Sequence, residues 1–439
     1  MNPVVRSHPN ATIDRLYPFE FMVKKMPMGL PPLDRQVWIL IVGRLLSNIG
    51  TGFILFSAPV FFVNQVGLSA AAVGLGIGSE SITGVMGRIL GGSLADSPQW
   101  GRRKTLMMAV GFSAIADFVL AISNDFPSFL AGNLLMGVGV GLYWPSAESM
   151  VADLAPLEYR NEAFALNRLA DSLGLSLGVV IGGAWIAATG AYRALFWVDA
   201  VSFLVFLVVV AVALRESRPV VAGELQKRSL WQGWGEALGD RTLKIFVLVN
   251  ILFTTYLSLV SSTLPIYFTN FVSNAETGEF SSKVLSALFA GYVALAAFTQ
   301  LPIARFLKRW SHPQALTLSA LLWAVGFGVM WLTGTVAHNQ IAWAALGLGV
   351  MAIATVSYTP AASSIVTGLA PAALRGVYLS INSLCWAAGY FIGPAIGGWA
   401  MDHDKAVAVR FWLAAALSVA VAIAIAQILD RRMSRKAQA

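Results

Sequence analysis

The chain has 439 residues, of which 57% are hydrophobic and only 12% are charged, and its formal net charge is +8. A water-soluble protein of this length carries about twice that fraction of charged side chains, so the composition excludes an ordinary soluble globular protein. Apolar runs of about 20 residues recur from Val37 to Leu429, and each is long enough to cross the hydrocarbon core of a membrane. These runs are continuously apolar, whereas strands of a membrane β-barrel alternate at every second residue.

The apolar runs form two groups of six. Residues 1–36 contain charges and prolines without an apolar core, so they are predicted to be a cytoplasmic tail and not a signal peptide. A six-helix bundle over 37–214, a cytoplasmic linker over 215–242, a second bundle over 243–429 and a cytoplasmic tail over 430–439 follow. The predicted spans are 37–63, 70–94, 105–123, 127–152, 162–188, 194–214, 243–271, 284–304, 313–334, 340–367, 376–401 and 409–429. The pattern predicts an all-α membrane protein with twelve transmembrane helices.

The distribution of basic residues predicts the orientation. With the N-terminus inside, 23 of the 30 Lys and Arg residues lie in or beside inner segments and four lie in outer loops. Because inner loops of membrane proteins are enriched in these residues, both termini are predicted to be cytoplasmic, in a plasma or inner membrane. The net charge therefore reflects membrane topology and does not indicate nucleic-acid binding.

The second half repeats part of the first. A shift of 215 residues aligns 143–183 with 358–398 without a gap, and 16 of these 41 positions are identical. The shift spans six helices, an even number, so the halves are predicted to share one topology around an axis along the membrane normal, with a site between them. Glycines spaced by four recur within the repeat, and this spacing predicts close helix packing and a face along which the halves slide. They are Gly174, Gly178 and Gly182, matched by Gly389, Gly393 and Gly397.

The stretch GGSLADSPQWGRRKTL, residues 91–106, lies between predicted spans two and three. It resembles the signature loop of the major facilitator superfamily, G-x-L-A-D-x-x-G-R-[KR]-x-x-L, with two additional residues before the second glycine. The resemblance implies a transporter that works by alternating access. It also implies a gating loop made of Gly92, Asp96, Gly101, Arg102 and Arg103, in which Asp96 accepts hydrogen bonds from a facing helix N-terminus when the inner side closes.

Two further patterns bear on the type of transporter. The glycines around Pro394 resemble a motif of the family's antiporters, although the family carries it on span five and this chain carries it on span eleven. Many proton-driven members have an arginine in the pattern R-x-x-x-G on span four, and here Asn133 precedes Gly137 at that position.

Ionisable residues at membrane depth are costly and usually functional, and those in span interiors are confined to the first half. Arg44, Glu148 and Asp171 are the leading candidates for coupling or binding, and Glu80 is a further candidate on span two. For Arg44, Glu148 and Asp171 the alternative to a coupling or binding role is a structural ion pair. The second half supplies neutral groups, for which ordinary packing is the alternative; these candidates are Asn250, Tyr256, Tyr358, Asn382 and Trp386.

These features predict proton-coupled efflux of drug-like or amphiphilic small molecules, and an importer or exchanger of a small metabolite is the alternative. The partners expected are a small-molecule substrate, protons and the lipid bilayer, without nucleic acid, and the chain is expected to act as a monomer. A membrane-embedded enzyme is disfavoured because the four histidines are scattered, without metal-ligand spacing, and no catalytic residues are evident. No cofactor or metal is expected.

Overall fold

The computed structural model of the protein describes residues 32–97, 99–156, 159–217, 230–272, 280–307, 310–371 and 375–438. Within these ranges the chain is helical, without strands, and short turns join the helices. The helices are α1 (Arg35–Leu55), α2 (Ala58–Asn64), α3 (Ala70–Asp96), α4 (Gly101–Ile122), α5 (Phe126–Leu154), α6 (Arg160–Thr189), α7 (Tyr192–Ala213), α8 (Leu230–Gly239), α9 (Arg241–Ser262), α10 (Leu264–Tyr267), α11 (Ser282–Leu307), α12 (His312–Thr335), α13 (Gln340–Leu369), α14 (Arg375–Met401) and α15 (Lys405–Gln438).

The prediction of an all-α membrane protein is confirmed. Within the described residues, eleven stretches of helix are long and apolar enough to cross a membrane. Helix α3 is the additional predicted span, and it is 27 residues long but more polar, because it carries Glu80 and Arg88 in its interior.

Three boundaries differ from the predicted ones. Span one is broken at Phe56 and Ser57, before Pro59, and span seven is broken at Thr263, before Pro265. Proline lacks the backbone N–H that continues a helix, so it begins the next helix instead. The last helix continues from the predicted span into the predicted C-terminal tail and ends at Gln438. The predicted linker contains α8, whereas residues 1–31 of the predicted N-terminal tail and 218–229 of the linker lie outside the described residues.

Short polar side chains define where several helices begin. Asp34, Ser69, Asp125 and Asp240 each accept a hydrogen bond from a backbone N–H in the first turn of the helix that follows. The first N–H groups of a helix have no partner within the helix, so such capping stabilises the start by about 1 kcal/mol.

The helices form two lobes. In the first lobe, α3 packs on α5, α4 packs on α5 and α7, and α1 packs on α6 and α7. In the second lobe, α12 packs on α13 and α15, α9 packs on α14, and α11 packs on α13. The lobes meet along two seams, α3 against α14 and α6 against α11.

The repeated glycines lie inside the lobes. The trio on α6 packs against α1, and the trio on α14 packs against α9, where a Cβ atom at any of the six would overlap the neighbouring helix. This differs from the expectation of a sliding face between the halves. Other glycines allow close approach between the lobes, and among them Gly74 and Gly78 of α3 lie against Pro394 and Phe391 of α14.

The lobes are joined on one side of the molecule. Following the predicted orientation, we call the side with residues 99–100 the inner side and the side with residues 65–69 and 402–404 the outer side. Between described residues, hydrogen bonds join the lobes at Asn64–Asn270, Ala70 and Ala71–Asp402, Tyr192–Ser282 and Arg88–Ser383. All but the last of these contacts lie at the outer ends of the helices, so the outer side is closed in this structure.

Candidate functional site

A buried ion pair joins α1 to α6. Arg44 Nη2 donates to Asp171 Oδ2 at 2.8 Å, and Arg44 Nε donates to Asp171 Oδ1, which makes the pair bidentate. Asn48 adds a hydrogen bond from Nδ2 to Asp171 Oδ1 at 3.0 Å. The arginine is only 5% exposed, and its guanidinium lies over the rings of Trp144, at 4.3 Å, and Tyr143, at 5.6 Å. Two residues predicted from sequence therefore form one unit, held by charge and by cation–π contact.

Glu148 lies near this unit without forming part of the bidentate pair. It is exposed on α5, one turn after Trp144. Its charge acts on both Arg44 and Arg88, so it lies between the ion pair and the central cavity described below.

A neutral polar cluster occupies the second lobe. Asn250 Nδ2 donates to Asn382 Oδ1 at 2.9 Å, and the Tyr358 hydroxyl donates to Asn250 Oδ1 at 2.5 Å. The Tyr358 ring stacks on Phe253, with ring centroids 4.8 Å apart, and is tilted toward Trp386. Three residues predicted from sequence are therefore joined by hydrogen bonds.

The repeat relates the two clusters. Tyr143 and Tyr358 are equivalent after the shift of 215 residues, and so are Asp171 and Trp386. The first lobe thus has the acidic member of its ion pair at the position where the second lobe has the ring of Trp386.

A cavity of about 250 Å³ lies between the lobes. Glu80 and Arg88 line it from α3, and Trp386 and Tyr390 line it from α14. The two rings are stacked, with centroids 5.9 Å apart, and Arg88 Nη1 donates to Ser383 Oγ across the seam. One acidic group, one basic group engaged across the seam and two aromatic faces therefore surround this central cavity.

A second cavity, of about 190 Å³, is lined mainly by the first lobe, including Glu80, Asn133 and Asp199, and also by Ser261 and Ser262 of α9. Asn133 occupies the position where the family pattern has arginine, and its Nδ2 donates to the Phe129 carbonyl at 2.8 Å. Glu80 lines both cavities, so it lies at the junction between the seam and the interior of the first lobe.

The gating loop makes contacts within the first lobe. Glu216 accepts hydrogen bonds from the backbone N–H groups of Arg102, at 2.9 Å, and Arg103, at 3.1 Å, and so caps the start of α4. The Arg102 guanidinium forms an ion pair with Asp153, and Arg103 donates to the Val210 carbonyl at 3.3 Å. These bases tie the inner ends of α4, α5 and α7 together.

Two glycines of this loop differ in their surroundings. Gly101 has φ +74°, a conformation that favours glycine, and a Cβ atom there would overlap the Glu216 carboxylate. Gly92 has no atom near the position of a Cβ. The side chain of Asp96 lies outside the described residues, so the predicted latch stays a prediction.

Of the remaining candidates, Tyr256 lies apart from the cavities. Its ring packs against Trp323 and Phe327 in the second lobe, and its hydroxyl hydrogen-bonds to Ser418 Oγ at 2.9 Å. Sequence reasoning left out Tyr390, although it follows Trp386 by four residues and so shares its helical face.

Comparison with known proteins identifies relatives of both the sequence and the fold. The sequence profile described as Major Facilitator Superfamily matches residues 40–278 and again 273–438. A Na(+), Li(+), K(+)/H(+) antiporter of Planococcus maritimus is 25% identical, over 84% of this chain and 90% of that protein. The quinolone resistance protein NorA of Staphylococcus aureus is 22% identical, over 84% and 91%. Among solved structures, the nucleoside transporter NupG has a TM-score of 0.74 at 14% identity, over 90% of this chain and 99% of that one.

Proposed function

The chain belongs to the Major Facilitator Superfamily of membrane transporters, and we propose that it exports amphiphilic organic cations in exchange for protons. The observation that carries this proposal is the position of Glu80. This carboxyl group faces the central cavity between the lobes and also lines the second cavity, most of whose lining belongs to the first lobe.

The lining of the central cavity favours a cation with an apolar body. The faces of Trp386 and Tyr390 offer cation–π contact, and Glu80 offers the opposite charge. Arg88 donates to Ser383 at the inner end of the described lobe contacts, which leaves Glu80 as the group that faces the cargo. The resistance protein among the relatives is consistent with a substrate of this kind.

Exchange follows if proton and substrate compete for Glu80. An ionised carboxylate binds the cation, whereas the neutral carboxyl group does not. Binding of a proton therefore releases the cation, and binding of the cation releases the proton. Glu80 then needs to exchange protons with one side of the membrane and substrate with the other. Its position at the junction of two cavities supports that role.

Alternating access requires that the closed outer side open while the inner side closes. We infer that α3 and α14 serve as the latch on both sides. In this structure Asp402, at the end of α14, binds the start of α3. In the opposite state Asp96, at the end of α3, is proposed to bind the start of α14 in the same way, with Arg102 and Arg103 holding the inner ends of the first lobe.

The Arg44–Asp171 unit is proposed to position helices. It joins α1 to α6, and α6 forms one seam with the second lobe through α11. A bidentate pair with a third partner in Asn48 holds these two helices in one register as the lobe moves.

The proposal is tested in lipid vesicles that contain only this protein, with ethidium as the probe. An imposed pH gradient is expected to drive ethidium against its concentration gradient, toward the compartment that supplies the protons. Glu80→Gln is expected to abolish this accumulation, whereas Glu236→Gln, at an exposed residue of α8, is expected to retain it. Accumulation that Glu80→Gln leaves unchanged contradicts the proposal.

An importer or exchanger of a small metabolite is the second candidate. The cluster of Asn250, Tyr358 and Asn382 favours it, because amides and hydroxyls recognise neutral polar solutes. In the same vesicles, ethidium movement that is absent or independent of the pH gradient, together with saturable uptake of a nucleoside or sugar, supports this candidate instead.

A further inference from the structure

Two aspartates are completely buried against each other in the first lobe, away from the central cavity. Asp117 of α4 and Asp199 of α7 both have 0% exposure. The two carboxyl groups lie close enough to act on each other electrostatically. Neither belongs to the ion pair or to the gating loop, so the function proposed above leaves them without a role.

The described hydrogen bonds around the pair leave most of its carboxyl oxygens without a donor. The Ser202 hydroxyl lies 3.0 Å from Asp199 Oδ1 and is its only described side-chain donor. Among the described residues, no donor reaches either oxygen of Asp117 or Oδ2 of Asp199. Buried carboxyl oxygens without donors are costly, and two adjacent carboxylates repel each other. A proton held between the two groups removes both penalties, because one carboxyl then donates to the other.

No basic side chain among the described residues lies where it could replace this proton. Helix α1 faces Asp199 with Gly50, where a Cβ atom would overlap the carboxylate. Helix α5 contributes the neutral Asn133 to the cavity beside Asp199, and α3 contributes the acid Glu80. Arg193 lies at the outer end of α7, where its guanidinium donates to the carbonyls of Ala121 and Ser123. The Arg44 guanidinium is bound to Asp171.

The pair also has a path to the central site. Asp199 lines the cavity of about 190 Å³ that Glu80 also lines. The charge of Glu80 acts on Asp117, so the three acids lie within one electrostatic neighbourhood.

We propose that Asp117 and Asp199 form a proton-binding pair that shares one proton and exchanges it with Glu80 through this cavity. The ligand is the proton itself. The pair lies in the outer half of the lobe, near the outer ends of α4 and α7, and Glu80 faces the central cavity. The aspartate pair therefore supplies a proton site between the outer side and the substrate cavity. This inference extends the proton coupling proposed above, but its first test does not depend on transport.

The first test is infrared spectroscopy of the full chain in lipid vesicles during cycles of pH. A protonated buried carboxyl gives a C=O band that ionised carboxylates lack. The wild type is expected to show such a band at neutral pH, and Asp117→Asn and Asp199→Asn are each expected to lose the same component. The asparagine amide can donate to the remaining carboxylate, so either variant keeps the contact but loses the shared proton.

Asp125→Asn is the matched control, because this aspartate is exposed and caps α5 through Ser128. It is expected to keep the full band. A band component that survives in either variant of the pair overturns the proposal. A component that disappears on addition of Na⁺ or K⁺ at constant pH also overturns it, since the pair then binds a metal cation in place of the proton.

The second test is ethidium accumulation driven by a pH gradient. Both variants of the pair are expected to reduce the initial rate at least tenfold, while Asp125→Asn retains it. Wild-type rates in both variants that lack the infrared component would show that the proton is not used in transport and would overturn the exchange with Glu80. If the wild type transports no ethidium but shows the shared-proton band, the proposed substrate fails and the proton pair stands.

Discussion

Asp402 is expected to hold the outer side closed. Its Oδ1 accepts the Ala70 N–H at 2.5 Å, and its Oδ2 accepts the Ala71 N–H at 2.8 Å. These N–H groups belong to the first turn of α3, whereas Asp402 follows the last residue of α14 in the other lobe. The start of a helix attracts negative charge, so this carboxylate stabilises the contact between lobes electrostatically as well as by hydrogen bonding.

The magnitude follows from these two bonds. Hydrogen bonds to a charged group are worth about 1.5–3 kcal/mol each, and the helix terminus adds about 0.3–1 kcal/mol. Asp402 is exposed, so solvent screening reduces both contributions. Asn at this position keeps one acceptor oxygen but loses the charge. We therefore expect Asp402→Asn to cost the closed outer side about 1–2 kcal/mol, which raises the ratio of outer-open to outer-closed molecules about 5- to 30-fold.

The assay measures access to the seam from the outer side. Leu285 lies on α11, in a crevice between α1, α6 and α11, and Leu285→Cys introduces a smaller side chain there. The native cysteine, Cys385, is replaced by alanine. A membrane-impermeant maleimide added to the outer side is expected to label residue 285 about 5- to 30-fold faster in Asp402→Asn than in the parent.

Asp404→Asn is the control, because Asp404 accepts the Val407 N–H at 2.9 Å within its own lobe. It removes a carboxylate from the same turn without touching the seam, so its labelling rate should equal that of the parent. Equal rates in Asp402→Asn and Asp404→Asn would refute the latch on the outer side. Slower labelling in Asp402→Asn than in the parent would show that this carboxylate favours the open outer side and not the closed one.

Two further predictions concern the thermal stability of the purified protein. Gly101→Ala is expected to lower the free energy of unfolding by about 1–2 kcal/mol, because alanine is strained at φ +74° and its methyl group would displace Glu216. Gly92→Ala is the control. If Gly101→Ala is as stable as Gly92→Ala, the proposed role of the turn is contradicted. Asp171→Leu is expected to destabilise by about 3–5 kcal/mol, since it leaves Arg44 buried without its partner carboxylate. The double variant Arg44→Met with Asp171→Leu is expected to recover most of that loss, and simple additivity of the two single substitutions would show that the ion pair is not coupled.

The sequence alone was sufficient for the class of fold and for the order of the long helices. Hydropathy and helix-breaking residues are local properties, so most predicted spans coincide with helix to within a few residues. The exceptions are the new helices that begin near Pro59 and Pro265 and the last helix, which continues to Gln438. The repeat of 215 residues predicted two equivalent halves, because identical Pro, Arg, Asn and Gly positions do not arise from shared hydrophobicity. Asn250, Tyr358 and Asn382 are neutral polar or aromatic residues in apolar spans, and the sequence predicted all three residues that the hydrogen bonds of the neutral polar cluster join.

Only the tertiary structure decided which of these residues meet. Arg44 and Asp171 are 127 positions apart, and nothing in either helix specifies that their side chains point at each other. The sequence could not assign Asp117 and Asp199 to one another, and it gave no sign that Asp402 reaches the start of α3. Hydropathy determines that a helix is buried, whereas the rotation of each helix about its axis is set by close packing against neighbours far away in the chain, and that rotation determines which polar groups share a site.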